Sequence, residues 1–276
     1  MAGPGKGTGH MKLLPALLAL WILGSAMPAA AQAPGEIAAV PKECVGPGTS
    51  EVQDPYLPNV AIALRDRKKI VILAIGSTSA TMRGPIRGGY YAIVERILEK
   101  AFKPLDVVII HRGVSGELAA DAANRIKTEI ALTKADLVLW QVGTADALAH
   151  VPIYEFRNTV TGQIRWLKEH KVDVILVGLR YAAPLANDPY YLGIRNIIAD
   201  VARDEKVIRL RRYDAEQALS KLNRDTAEGF DFAQNSEASS ICTAEYIARA
   251  IAAGLFIKKG PARPGAPGAL PNAPAN

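Results

Sequence analysis

Histidine and cysteine are scarce in this chain, with four of the first and two of the second among 276 residues. No Cys-x-x-Cys pair and no His-x-x-x-His spacing occurs, so a structural zinc site has nothing to rest on. A phosphate loop is lacking too: GPIRGG, from Gly84 to Gly89, has glycines but neither the lysine nor the strand-adjacent spacing. The sequence therefore implies no metal and no cofactor. Charge of one sign is also in short supply. The formal net charge is +6, but Lys6, Lys12, Lys258, Lys259 and Arg263 sit in terminal segments, and setting them aside leaves 28 basic residues against 27 acidic ones. A near-neutral body excludes the clustered basic face that nucleic acid requires. The basic stretch RDRKK, Arg65 to Lys69, reads as a solvated turn.

An apolar run long enough to cross a membrane is absent as well. The stretch from Leu13 to Met27 falls short of the roughly 20 residues a spanning helix needs. It follows Lys6, His10 and Lys12 and runs into the small-residue stretch PAAAQA, which together read as a secretory signal peptide over residues 1–33, cleaved after Ala31 or Ala33. An uncleaved N-terminal anchor is the alternative, favoured by the extra length that Trp21 and Ile22 give. The mature protein is expected to be exported, periplasmic or extracellular, with no membrane span once the signal is removed. At the other end, residues 258–276 are rich in Pro, Gly and Ala and lack periodicity, so they read as a disordered tail. Residues 34–68 read as an N-terminal extension, and 69–257 as one domain large enough to bury a sizeable core.

What cysteine there is carries weight in an exported chain, because paired thiols oxidise and persist outside the cytoplasm. Cys44 and Cys242 are expected to form a disulfide tying the start of the body to its last helix. Two buried, unpaired thiols are the alternative.

From Lys69 onward apolar runs and amphipathic stretches alternate. KIVILAIG, Val107–Ile110, ADLVLWQVG, VDVILVGL and Val207–Leu210 read as strands; helices are predicted near 90–101, 118–132, 154–170, 194–204 and 244–255. Strands that are apolar almost throughout suit a sheet covered on both faces. The pattern predicts an α/β fold, a three-layer α/β/α sandwich around a mostly parallel sheet of about five strands, of flavodoxin-like kind. Ligands in such folds bind outside the carboxyl ends of the strands. The segments there are GSTSATMRG, HRGVSGE, GTADALAH and RYAAPLANDPYY.

The hydroxyls of Ser77, Thr78, Ser79 and Thr81 follow the first strand immediately. A hydroxyl in that place can attack a carbonyl if a base takes its proton; it can equally cap a strand end. Gly113 and Gly116 in the second segment allow tight turns and also let backbone N–H groups approach a substrate oxygen.

Taken in order, these segments resemble the blocks of the SGNH, or GDSL-type, hydrolase family. The Gly-Asp-Ser block is similar to Gly76-Ser77-Thr78, the oxyanion-hole glycine block to RGVSGELAAD with Gly116 matching, and the Gly-x-Asn-Asp block to Gly143-Thr144-Ala145-Asp146. The block with an Asp and, three residues on, a His corresponds to NSEASSICTAEYIARAIA. The resemblance covers about Ile70 to Leu255 and implies the sandwich fold and hydrolysis of acyl or O-acetyl esters.

Several positions depart from the pattern. Ser77 replaces the aspartate, and Thr78, with a stiffer χ1, stands for the nucleophilic serine. Ala145 replaces the oxyanion-hole asparagine, a loss that typically costs about 10²–10³ in rate. Aligning Tyr246 on the family's helix tyrosine places Glu237 at the Asp position and Ser240 at the His position; a one-residue gap places Ile241 there instead. Neither Ser240 nor Ile241 can act as the base. Of the remaining histidines, His170 lies at a helix end away from the strand-end segments, which leaves His111 and His150 as substitutes, each more simply read as a strand-end or surface imidazole.

The resemblance with these departures implies a ligand-binding pseudo-hydrolase for a small acyl ester or acetylated carbohydrate. Ser77, Thr78, Gly116, Ala145 and Tyr181 would form its crevice, with Ser115 and Asp146 beside them. An active esterase using Thr78, Ser77 or Ser79 with an unorthodox base is the second reading, and a structural envelope protein the third.

Overall fold

The computed structural model describes residues 41, 44, 56–76, 89–224 and 237–255. The expected signal peptide, the tail from 258, and Ser77, Thr78 and Ser79 lie outside the described residues. In chain order the elements are α1 (Pro58–Arg67), β1 (Lys69–Gly76), α2 (Gly89–Ala101), β2 (Asp106–Gly113), α3 (Ala119–Thr133), β3 (Leu137–Gln141), α4 (Thr144–Leu148), α5 (Ile153–Glu169), β4 (Asp173–Val177), a 3₁₀ turn (Ala183–Leu185), α6 (Pro189–Asp204), β5 (Ile208–Leu210), α7 (Arg212–Arg224) and α8 (Glu237–Leu255).

The five strands form one parallel sheet in the order β2-β1-β3-β4-β5. Alternation within each strand splits the core between two faces. Leu73, Ile75, Val138, Trp140, Val174 and Leu176 pack with residues of α3, α5 and α6 such as Ile126, Phe156, Ile164 and Ile198. Ile70, Ile72, Ala74, Leu137, Leu139 and Ile175 pack with Val94 and Leu98 of α2, Val60 of α1 and Ile247 and Ile251 of α8. This two-sided burial explains why the strands read as continuous apolar runs, and it makes the fold the expected three-layer α/β/α sandwich.

The differences from the sequence reading have local causes. The folded body begins before Lys69, because α1 buries Val60 and Ala63 and its preceding Leu57 donates to the Gly254 carbonyl at 3.0 Å. Asp173, at the start of β4, holds the first turn of α1 by accepting from the Asn59 and Val60 backbone N–H groups, both at 2.9 Å, and from the Asn59 side chain at 2.8 Å. The basic stretch from Arg65 is therefore the exposed last turn of α1 and the residue that opens β1. Helix α6 starts at Pro189, earlier than Ile194, because Asp188 caps it by accepting from the Tyr191 N–H at 2.7 Å and Pro189 suits the first helical position. Helix α7 has no counterpart in the predicted elements, and α8 begins at Glu237, ahead of the expected 244. Lys68, Lys134, Lys171 and Lys206 all take left-handed φ values of 50–56°, each in the turn leading into a strand.

Cys44 and Cys242 are bonded, with their Cα atoms 5.1 Å apart and a sequence separation of 198. Tyr246, one turn further along α8, donates to the Cys44 carbonyl at 2.6 Å, so the junction is fixed twice. Among the described residues no helix is long and apolar enough to cross a membrane.

Candidate active site

The strand order reverses between β1 and β3: the chain leaves β1 for β2 on one side and then crosses to β3 on the other. Such a switch point opens a crevice at the carboxyl ends of the two strands. Gly76 ends β1 there and Gly143 follows β3.

Both glycines are required by geometry. Gly76 has φ +107°, and a Cβ built on it would meet the Gln141 carbonyl oxygen at 2.0 Å, so no side chain fits between β1 and β3. Gly143 has φ +103°, and its Cβ would lie 2.7 Å from methyls of both Leu179 and Ile198. The β1 and β3 turns thus pass close to each other and to the core. The hydroxyl residues Ser77, Thr78 and Ser79 come directly after Gly76 in sequence, outside the described residues.

From β2 the chain turns through Val114, Ser115 and Gly116 into α3, and all three are exposed. Gly116 has φ +74° with open space where a Cβ would stand, so its conformation rather than crowding calls for glycine. Glu117 next to it is buried and pairs with Arg125 at 2.6 Å. Burial pushes its carboxyl up, while Arg125 and the Gly76 N–H pull it back, so this one carboxylate joins the second segment to the end of β1.

The third segment forms the short helix α4. Ala145 is 9 % exposed and Asp146 only 1 %. Asp146 Oδ1 accepts from the Ala119 N–H at 2.9 Å and so caps α3 across the crevice floor, while burial raises its pKa against the pull of neighbouring backbone N–H groups. Its side chain is committed to holding the two segments together. Ala145 brings no side-chain donor to this floor.

Tyr181, after β4, is 5 % exposed and meets Tyr213 edge-on at 5.5 Å between ring centroids, so it is packed into the core of the α3/α5/α6 face. Ser240 is half-buried and lies, like Glu237, inside helix α8 rather than in a loop before it.

The two remaining histidines diverge. His111 pairs in register with Ala74, two residues short of the strand end, and its ring lies tilted against that of Tyr91 of α2, 4.6 Å between centroids. Burial lowers its pKa, and its Nδ1 is buried without a partner. His150 is exposed beyond α4, with φ 52° and its ring 4.7 Å from Tyr190. Among the described residues no group of three or more His, Cys, Asp and Glu side chains is placed to hold a metal ion.

One cluster at the carboxyl ends of β4 and β5 was not singled out in the sequence. Glu216 of α7 is 3 % exposed; its Oε1 accepts from Arg212 Nε at 2.8 Å and its Oε2 from the Tyr181 N–H at 2.8 Å. Arg180, following β4, stands 3.7 Å from the same carboxylate. Tyr90 and Tyr91 lie beside Arg212, with the Tyr90 hydroxyl donating to that of Tyr91 at 3.1 Å. The one sequence signal was the Arg-x-x-x-Glu spacing of Arg212 and Glu216, which puts the pair on one helix face.

With this layout in place, the relatives are informative. A model of the Non-GDSL lipase-like family matches residues 39–257. The chain belongs to this family. Among solved structures, the Non-GDSL lipase-like chain is similar to Axe2, an acetylxylan esterase from Geobacillus stearothermophilus, at 19 % identity and TM-score 0.54 over 66 % of this chain and 94 % of that one. It is also similar to TesA, at 16 % identity and TM-score 0.52 over 66 % and 97 %. At these identities the likeness is one of fold, and together with the family match it makes this an SGNH/GDSL-type hydrolase fold. No curated protein matches the chain by sequence.

Proposed function

We propose that this Non-GDSL lipase-like protein is an exported pseudo-hydrolase that binds a small acyl ester or an acetylated carbohydrate in the switch-point crevice and cleaves it slowly or not at all. The observation that carries this reading is Ala145. It occupies the buried first turn after β3, where the resemblance to the family calls for an asparagine, and offers no donor to an oxyanion. Ser240 sits within a helix at the position of the base and cannot take a proton at neutral pH. The ester-bearing ligand is supported by the similarity in fold to an acetylxylan esterase. Export is supported by the Cys44–Cys242 bond, which persists in oxidising compartments.

Two measurements test the reading. Acetylated xylo-oligosaccharides are expected to raise the melting temperature of the protein where their deacetylated counterparts do not. Ala145→Asn combined with Ser240→His is expected to raise ester turnover by at least about 10² over wild type, since it restores a donor and a base. A melting temperature indifferent to every acetylated glycan would favour a structural envelope protein instead.

A specific observation favours one other reading. His111 is held neutral by burial and keeps Nδ1 unpartnered, which is the state a general base needs. In a working esterase it would serve Thr78, Ser77 or Ser79, and His111→Gln would then abolish a turnover that wild type possesses.

A further inference from the structure

The turn from α4 into α5 is apolar, uncharged and open to solvent. Seven large apolar side chains are exposed among the described residues, and three of them, Leu148, Ile153 and Tyr154, fall within this turn and its flanks. Apolar residues exposed singly are ordinary, but several together beside a crevice mark a ligand surface. The turn lies at the carboxyl end of β3, because the Val151 N–H donates at 3.0 Å to the carbonyl of Asp146, whose side chain holds the crevice floor. No Lys, Arg, Asp or Glu occurs from Ala147 to Tyr154. The rings here are held in place. Tyr154, 65 % exposed, donates its hydroxyl to Glu155 Oε1 at 2.8 Å. Tyr190 of α6 donates to the Val151 carbonyl, and the exposed imidazole of His150 lies with its centroid 4.7 Å from that of the Tyr190 ring. Ile153 rests on α6, its Cδ1 3.3 Å from where a Cβ on Gly193 would stand. Rings fixed before a ligand arrives lose little freedom on binding it.

We propose that this rim is a sugar-binding subsite: neutral pyranose units of the ligand lie on the rings of Tyr154 and His150 while an acetyl group they carry enters the crevice. It rests on the ester reading of the crevice and selects the acetylated carbohydrate from the two ligand classes of that reading. Openness makes the first half of the choice. An acyl chain gains in proportion to the area it removes from water, which calls for an enclosed channel, and a rim built on a side chain as exposed as Tyr154 encloses nothing. A pyranose has an apolar C–H face and a fringe of hydroxyls. It stacks on an open ring and keeps its hydroxyls in water or on the polar tips of Tyr154 and His150. Charge makes the second half: a stretch of eight residues without Lys, Arg, Asp or Glu complements a neutral sugar and offers nothing to a sugar acid.

The test is isothermal titration of the full chain with three probes: an acetylated methyl xyloside, acetylated xylotetraose, and the octanoyl ester of the same xyloside. In wild type the tetraose is expected to bind about tenfold tighter than the acetylated xyloside, the gain coming from sugar units on the rim. Tyr154→Ala is expected to remove that gain, so that the two acetylated probes become about equal, and Tyr154→Phe to keep most of it, since the ring remains. Tyr154 is exposed, and circular dichroism checks that both variants fold. A gain with chain length that survives Tyr154→Ala overturns the proposal and leaves the ester reading standing. No gain with chain length in wild type does the same. A Tyr154-dependent gain for the octanoyl ester in place of the tetraose assigns the rim to an acyl chain and overturns it as well. If none of the probes binds wild type, the ester reading fails and this subsite fails with it.

Discussion

Gly76 is the residue on which the geometry of the crevice turns. Its φ of +107° and the carbonyl of Gln141 directly over its missing Cβ set the level at which the chain leaves β1. Gly76→Ala is expected to cost at least about 2 kcal/mol, from a strained φ and a steric clash that only a shift of β1 against β3 relieves. Urea denaturation measures it, and an unchanged midpoint would mean the strand end is pliable. Much of this was legible in the residues themselves: Gly76, Gly116 and Gly143 stand in their expected segments, and the substitutions at 77, 78 and 145 are read directly. The Arg212–Glu216–Arg180 cluster was not, because it assembles from the ends of two strands and a helix that amphipathic pattern alone did not reveal. Tyr181 shows the same limit. A tyrosine after a strand reads as crevice lining, whereas its ring is spent on Tyr213 in the core.

At the scale of elements, apolar periodicity identified the five strands and most of the helices, since two-sided burial forces that pattern on a parallel sheet. It failed at α1, whose sequence PNVAIALRDR has little amphipathic contrast and whose docking depends on one side chain from 114 residues away. That side chain, Asp173, gives a testable consequence. Burial lifts its carboxyl to about 6, against the pull of its three N–H donors, while an unfolded chain would titrate it near 4. The folded state therefore binds the proton more tightly. The stability this group contributes is full below about pH 4 and is lost as pH rises through about 6. Between pH 4.5 and 6.5 the loss is on the order of 2 kcal/mol. Unfolding free energies of wild type and Asp173→Asn at the two pH values check it. The variant is expected to be less stable overall but to lack this share of the slope; parallel pH profiles would contradict the assignment.

For the whole molecule, the disulfide and the switch-point crevice set the terms. Cys44–Cys242 closes a loop of 198 residues, which on the chain-entropy view is worth about 5 kcal/mol through the unfolded state. Reduction is expected to lower the melting temperature by roughly 10 °C, measured by circular dichroism with thiols quantified alongside. No shift would mean that the Tyr246 contact and the packing of α8 suffice. The central claim concerns the crevice: an SGNH-type fold whose donor at 145 and base at 240 are absent binds its ester rather than cutting it. Hydrolysis of a short-chain p-nitrophenyl ester by the purified protein, beside a variant with Ser77, Thr78 and Ser79 all changed to alanine, tests that claim most directly. Equal rates at the uncatalysed background are the expected result. A wild-type rate well above background that vanishes in the triple variant would contradict it and establish a working hydrolase with an unorthodox base.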